Sequence, residues 1–389
     1  MKARSVFFVV LSSLCFAAFA QRAGAATLVV SNTSPQCARA EFTTIQAAIN
    51  AAAPGDTVRV CPGVYPEQVT IGTSLKLLGE NGAILMPGPI SGNGSDISNG
   101  DPLAAIILVQ NATGVTIDGL IVDGSKNGLT ECSPFLVGIL FQNASGSITH
   151  NAVRSIATPP VSGCQDGDAI VAQSSSGQSA TVEIAFNSVH DYQKNGITGN
   201  ETGTTVTIHH NTVTESAPAN GAAPNGVQIG FGATGTITAN NVSGNVWAPC
   251  VSINNCTAAG SGILIFESNS VTIQNNDVGT NQVGLFVEGD GTTIHNNDVF
   301  NSLVLYGIAV TGNDSAITGN SITHSDQDAI VIDGNNGTIR NNKIADALVG
   351  VFTVNGSSGN SITGNTFFDT ITTTTDPASP IAVTPGPSR

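Results

Sequence analysis

A Gly–hydrophobic pair, a variable turn and then Ile-x-x-Asn-x-hydrophobic return roughly every 21 to 36 residues over more than half of the chain. The last copies are the clearest: Gly262-Ile263 with Ile273 and Asn276, Gly284-Leu285 with Ile294 and Asn297, Gly307-Ile308 with Ile317 and Asn320, Ala329-Ile330 with Ile339 and Asn342, Gly350-Val351 with Ile362 and Asn365. Aligning on the Asn also recovers Asn151, Asn187, Asn211 and Asn240 from longer copies. Within each copy apolar residues alternate with small or polar ones, as in Gly307-Ile308-Ala309-Val310-Thr311, the period of a strand with one buried face. About 22 residues divided into three such runs make one coil of a parallel β-solenoid.

Coils stacked at about 4.8 Å bring equivalent residues within hydrogen-bond reach. An Asn at each bend is therefore expected to tolerate the left-handed conformation there and to bond the Asn of the next coil, forming a ladder. The predicted fold is all-β, a single-stranded right-handed parallel β-helix of about eleven or twelve coils over residues 26–371. At the interstrand spacing that is a rod of roughly 50 to 60 Å. Thr44 to Ala52 carries Ile45, Ala48, Ile49 and Ala52 on one face and predicts a short helix capping the first coil.

Residues 1–25 read as a cleavable signal peptide, with Lys2 and Arg4 ahead of an apolar run from Val6 to Ala20, so a secreted or periplasmic location is expected. No second segment is apolar and long enough to span a membrane. Residues 372–389, rich in Thr and Pro, read as a linker or disordered end. Cys37, Cys61, Cys132, Cys164, Cys250 and Cys256 remain after the signal, an even number that predicts disulfides. Sequence neighbours are expected to pair, since distant coils cannot bring cysteines within bonding reach. No CxxC pair supports a zinc site in their place.

The chain carries a net charge of −15, and loss of Lys2, Arg4 and Arg22 with the signal takes it to about −18. That excludes nucleic acid as a natural partner and repels polyanions unless a basic patch or bridging calcium offsets it. A monomer is expected.

The stretch FTTIQAAI at Phe42–Ile49, with PGDTVRV at Pro54–Val60 and PGVYPEQVTI at Pro62–Ile71, resembles the N-terminal cap and first coil of the right-handed parallel β-helix, pectate-lyase-like superfamily. The Gly-Ile and Ile-x-x-Asn copies resemble the coil repeat of that superfamily, including members of the periplasmic copper-accessory and polysaccharide-epimerase type. The resemblance spans about residues 40 to 370. It implies an exported protein acting on a polysaccharide or glycan surface, a lyase or epimerase ahead of a hydrolase, with calcium as the possible cofactor. It also implies a groove along one exposed sheet, bordered by long loops. The signature runs of mannuronan epimerases, polygalacturonases and pectin methylesterases are absent, which leaves a non-catalytic glycan-binding or surface-interaction solenoid as the alternative.

Extra length falls at 154–167, 174–180, 214–224 and 243–260, so the site is placed between 138 and 262. There Asp166-Gly-Asp168 precedes one Gly-Ile-type strand, and His190-Asp-Tyr192-Gln-Lys194-Asn195 leads into the next. For elimination or epimerisation Lys194 or Tyr192 would be the base and His190 the donor, with the Asp pair holding calcium; for hydrolysis Asp166 and Asp168 would act together. Asn195, Asn200, Gln173 and Gln228 are the substrate-binding candidates. Asp326-Gln-Asp328-Ala-Ile-Val331 repeats the Asp166–Val171 pattern, so Asp there is also a turn residue. His209 and His210, adjacent on a strand, are expected to face opposite sides and so not to share a metal. The other functional reading, a periplasmic metal-enzyme accessory, finds no Met/His/Cys ligand set.

Overall fold

Each repeat folds into three short strands. In the computed structural model, which describes residues 24–32, 37, 39–158, 164–354 and 356–375, one coil reads Thr204–His209, Thr212–Thr214 and Asn225–Gly230. Thr204, Val206 and Ile208 point inward and the residues between them outward, as the period of two requires. The next coil stacks on it in parallel, with Ile208 opposite Ile237 and Val227 opposite Ile263.

Repetition of this unit gives three parallel ladders around one apolar core. The first sheet has 13 strands, from Thr27–Val30 to Ser361–Thr363. The second and third join into one 23-stranded sheet because Lys343–Thr353 and Thr366–Thr375 run through the corner between them. Thr27–Val30, upstream of the helix, adds a strand ahead of the predicted coils. The exception to parallel pairing among the described strands is Gly94–Ser95 against Pro102–Gln110.

The helix forms at Ile45–Ala51, with the Thr44 hydroxyl accepting from Ala47 N and the Glu67 carboxylate accepting from Ile45 N and Gln46 N at 2.8 and 3.1 Å. Ile45, Ala48 and Ile49 are buried against the first coils. A carboxylate on the free N–H groups of a first turn is favourable for both hydrogen bonding and dipole.

All nine ladder Asn residues are in register. Nδ2 of each donates to Oδ1 of the next, from Asn151 to Asn187 at 3.1 Å through to Asn342 to Asn365 at 2.9 Å. The left-handed residue is not the Asn but the one before it: His150, Phe186, His210, Ala239 and Asn275 have φ between 54° and 57°. The Asn must turn its amide inward, where Nδ2 also reaches a carbonyl of the preceding coil, as Asn211 does to Ile184 O at 2.8 Å. Its predecessor therefore takes the bend.

The cysteines pair as Cys37–Cys61, Cys132–Cys164 and Cys250–Cys256. The last strand continues to Thr375, past residue 371, pairing Thr372 with Val349 and Thr374 with Val351. The expected signal peptide, apart from residues 24 and 25, and the tail beyond 375 lie outside the described residues. No helix among the described residues is long and apolar enough to cross a membrane.

Candidate functional site

The outward column at the centre of the third sheet runs Leu108, Leu140, Val171, Thr198, Gln228, Leu264, Phe286 in successive coils. It is apolar at both ends and polar in the middle. At the N-terminal end Leu103, Leu108, Leu140 and Val171 form one cluster, and at the other Leu264, Phe286, Ala309 and Val331 form a second, beneath the loop closed by Cys250–Cys256. Between them lie Asp168, Gln173, Asn195, Thr198, Asn200, Asn225 and Gln228, none more than 3% exposed. A buried polar group is informative where a buried apolar one is not, because it must be matched.

The matching is made across coils. Asn195 N donates to Asp168 Oδ1 at 3.0 Å, Asn225 Nδ2 to Asn195 Oδ1 at 3.0 Å, and Gln228 Nε2 to Asn200 Oδ1 at 3.0 Å. Gln173 stands opposite Asn200 in register. Coil stacking thus turns single amides into a two-dimensional array of donors and acceptors. At the N-terminal edge of this array is a narrow cavity whose walls include Asp96, Phe135, Asp168, Gln173 and Asn200.

Lys194 lies where the corner meets this sheet. Its Nζ donates to Ala223 O at 2.8 Å, and the side chain is fully buried. Burial pushes its ammonium down to about 8 against the opposing pull of the Asp168 carboxylate. Asp166, one turn earlier, accepts from the Thr158 hydroxyl at 3.1 Å, and burial pushes it up to about 6 despite that bond. Asp328, the counterpart of Asp168 in the later coils, is likewise pushed up to about 6 by burial.

His190 and Tyr192 go elsewhere. His190 stands on the outer face of the second sheet, in register with Arg154, and its Nδ1 contacts Asp191 Oδ2 at 2.6 Å. The Tyr192 ring belongs to the core; its hydroxyl donates to Asn245 Oδ1 at 2.7 Å, and burial raises it well above the ordinary phenol range. The structure therefore brings together Asp168, Lys194, Gln173, Asn195, Asn200 and Gln228, with Asp166 at the adjoining corner, and does not bring His190 or the Tyr192 hydroxyl to them.

Glu215 carries a site property not read from the sequence. It borders an open groove with Ser216, Pro218, Ser243, Val246 and Leu303, and burial pushes its carboxyl up to about 8, with the Asp191 charge adding to the rise. Asp191 moves the other way: burial alone would raise it, but hydrogen bonds from Ser216 and His190 hold it below the usual range. Glu215 is the single acid in the loop 214–224, a signal too slight to separate it from ordinary surface acids.

Fold and face together define a right-handed parallel β-helix protein. Residues 137–302 match the family model described as a right handed beta helix region, and residues 248–380 match that of the periplasmic copper-binding protein NosD. No curated protein matches the sequence. Among solved structures, the GH136 lacto-N-biosidase from Eubacterium ramulus superposes with a TM-score of 0.64 at 10% identity, covering 88% of this chain and 68% of its own. The polygalacturonase from Erwinia carotovora ssp. carotovora superposes with 0.56 at 12% identity, covering 88% and 95%. The Dettilon tailspike protein superposes with 0.53 at 16% identity, covering 87% and 68%. At these identities the likeness is one of fold.

Proposed function

We propose that this is an exported glycan-binding β-helix that binds along the third sheet, over the segment ordered by its buried amide row. The observation that carries the reading is the interruption of an otherwise apolar outer face by Gln173, Asn195, Thr198, Asn200, Asn225 and Gln228 in three successive coils. Amides and hydroxyls both donate and accept, as sugar hydroxyls do, and their spacing along the rod is that of the stacked coils. A net charge of −15 favours neutral over uronate glycans. Two of the proteins that share the fold are a lacto-N-biosidase and a polygalacturonase, which supports a carbohydrate ligand for such a rod.

A second reading, lyase or epimerase chemistry, is favoured by Lys194, whose ammonium is lowered to about 8 beside Asp168 and is thus partly available as a base near neutral pH. Its donor would have to be a group other than His190. Calcium would need both Asp166 and Asp168, of which Asp166 already spends one oxygen on Thr158.

Titration of a panel of neutral and uronate glycans by calorimetry, with a parallel assay for new reducing or unsaturated ends, separates the two. Saturable binding lost in Gln228→Ala and Asn200→Ala, with no new ends, supports the binding protein. New ends that vanish in Lys194→Ala establish the enzyme, and absence of any glycan binding sinks both.

A further inference from the structure

His210 does not follow the alternation of the strand that ends at His209. Its φ of 55° turns the chain left-handed at the corner, and the two imidazoles come to the same side, with Nδ1 of His209 3.0 Å from Nδ1 of His210 and the rings at 88°. The expectation that neighbouring histidines face apart is corrected here, because it assumed an extended backbone through both residues. On its other nitrogen, Nε2, His209 meets Glu183 Oε1 at 3.1 Å. Phe186, 49% exposed, stacks on His210 at 5.0 Å and on His150 at 5.2 Å, the latter held by Asp118 at 2.9 Å.

We propose that His209 and His210 form a surface site for a divalent transition-metal ion, bound through the two Nδ1 atoms. Two imidazole nitrogens at about 2.0 Å from one ion stand roughly 2.8 to 3.3 Å apart when they occupy neighbouring positions of a square or a tetrahedron. The observed 3.0 Å needs no rearrangement of the backbone. Without metal His210 Nδ1–H donates to His209 Nδ1; when the ion binds, that proton moves to His210 Nε2, which leaves both Nδ1 lone pairs to the ion with both imidazoles neutral. Glu183 accepts the Nε2 proton of His209 and so leaves its Nδ1 lone pair free for the ion, the usual role of a carboxylate behind a metal-bound imidazole. Phe186 packs one side of the His210 ring and fixes its orientation.

Imidazole donors select copper, nickel or zinc over calcium and magnesium, and the near-right-angle spacing favours copper(II), with water completing the coordination. Among the described residues no thiolate competes, since Cys37, Cys61, Cys132, Cys164, Cys250 and Cys256 are all in disulfides. The pair lies outside residues 248–380, the part that matches the NosD model, and is independent of the glycan reading.

The test is titration of the purified protein with copper(II) and zinc(II), followed by calorimetry and, for copper, electron paramagnetic resonance. One saturable equivalent with nitrogen hyperfine structure is expected. It should be lost in His209→Ala and in His210→Ala, weakened about tenfold in Glu183→Gln, and unchanged in His150→Ala, with thermal unfolding confirming that each variant is folded. Copper binding that survives both His209→Ala and His210→Ala, or the absence of any saturable equivalent, overturns the proposal.

Discussion

Asn211 Oδ1 receives two hydrogen bonds from Asn187, one from its backbone N at 2.9 Å and one from Nδ2 at 3.0 Å. Asn211 in turn makes the same pair of bonds to Asn240. Every interior member of the ladder is thus acceptor to one coil and donor to the next. Because the site is buried, loss of one member leaves donors with no water to replace their partner.

Asn211→Ala should therefore lower unfolding stability by about 2 to 4 kcal/mol, since two donors on Asn187 are orphaned at roughly 1 to 2 kcal/mol each. Asn365→Ala, at the half-buried last rung, should cost less than half as much. Denaturant titration of the two variants measures both. Equal losses would mean that the ladder is not what holds the bends.

The disulfides should differ in weight. Cys132–Cys164 closes a separation of 32 residues and Cys250–Cys256 one of 6, so by loop-closure entropy they contribute about 4 and about 2 kcal/mol. Replacing each pair by serines and comparing denaturation midpoints tests the order. The short one has a second role, holding its loop over Leu264 and Phe286, so its loss should also raise binding of an apolar dye.

Stability should fall as pH rises from about 4.5 towards 8. Glu215 has a folded value of about 8 against an ordinary 4.5, so the folded state holds its proton more tightly; that contribution is full below 4.5 and lost as pH climbs through 8. Asp166, raised from 3.8 to about 6, acts in the same direction over a lower window. Lys194 opposes them, since its folded value of about 8 lies below 10.5 and its neutral form gains as pH rises between those values. In Glu215→Gln the melting temperature should vary less between pH 5 and 8 than in the parent. An unchanged slope would show that Glu215 is ionised without cost.

The contrast between Asn195 and His190 shows what could be read in advance. Coil stacking fixes which residues share a face, so Asp168, Asn195, Asn200, Gln173 and Gln228 could be grouped from the repeat alone, before any coordinates. His190 and Tyr192 could not, because Asp191 between them has φ 57° and breaks the alternation on which side-chain direction depends. The same conformation at His210 hid the imidazole pair. Left-handed residues other than glycine carry no reliable sequence mark, and in this chain they sit at the corners where side chains converge.

The amide row itself can be probed at a glycine. Gly230 continues the outward column of Gln173 and Asn200, and a Cβ there would stand 2.9 Å from Asn200 Oδ1 and 3.3 Å from Gln228 Nε2. Both atoms are the ends of flexible side chains, so Gly230→Val should fold, but only by separating the Gln228–Asn200 bond that orders the row. Calorimetric titration with a glycan that binds the parent should show affinity lowered about tenfold, the worth of roughly one hydrogen bond, with a melting temperature close to that of the parent. Unchanged affinity in a folded variant would move the binding face away from the third sheet.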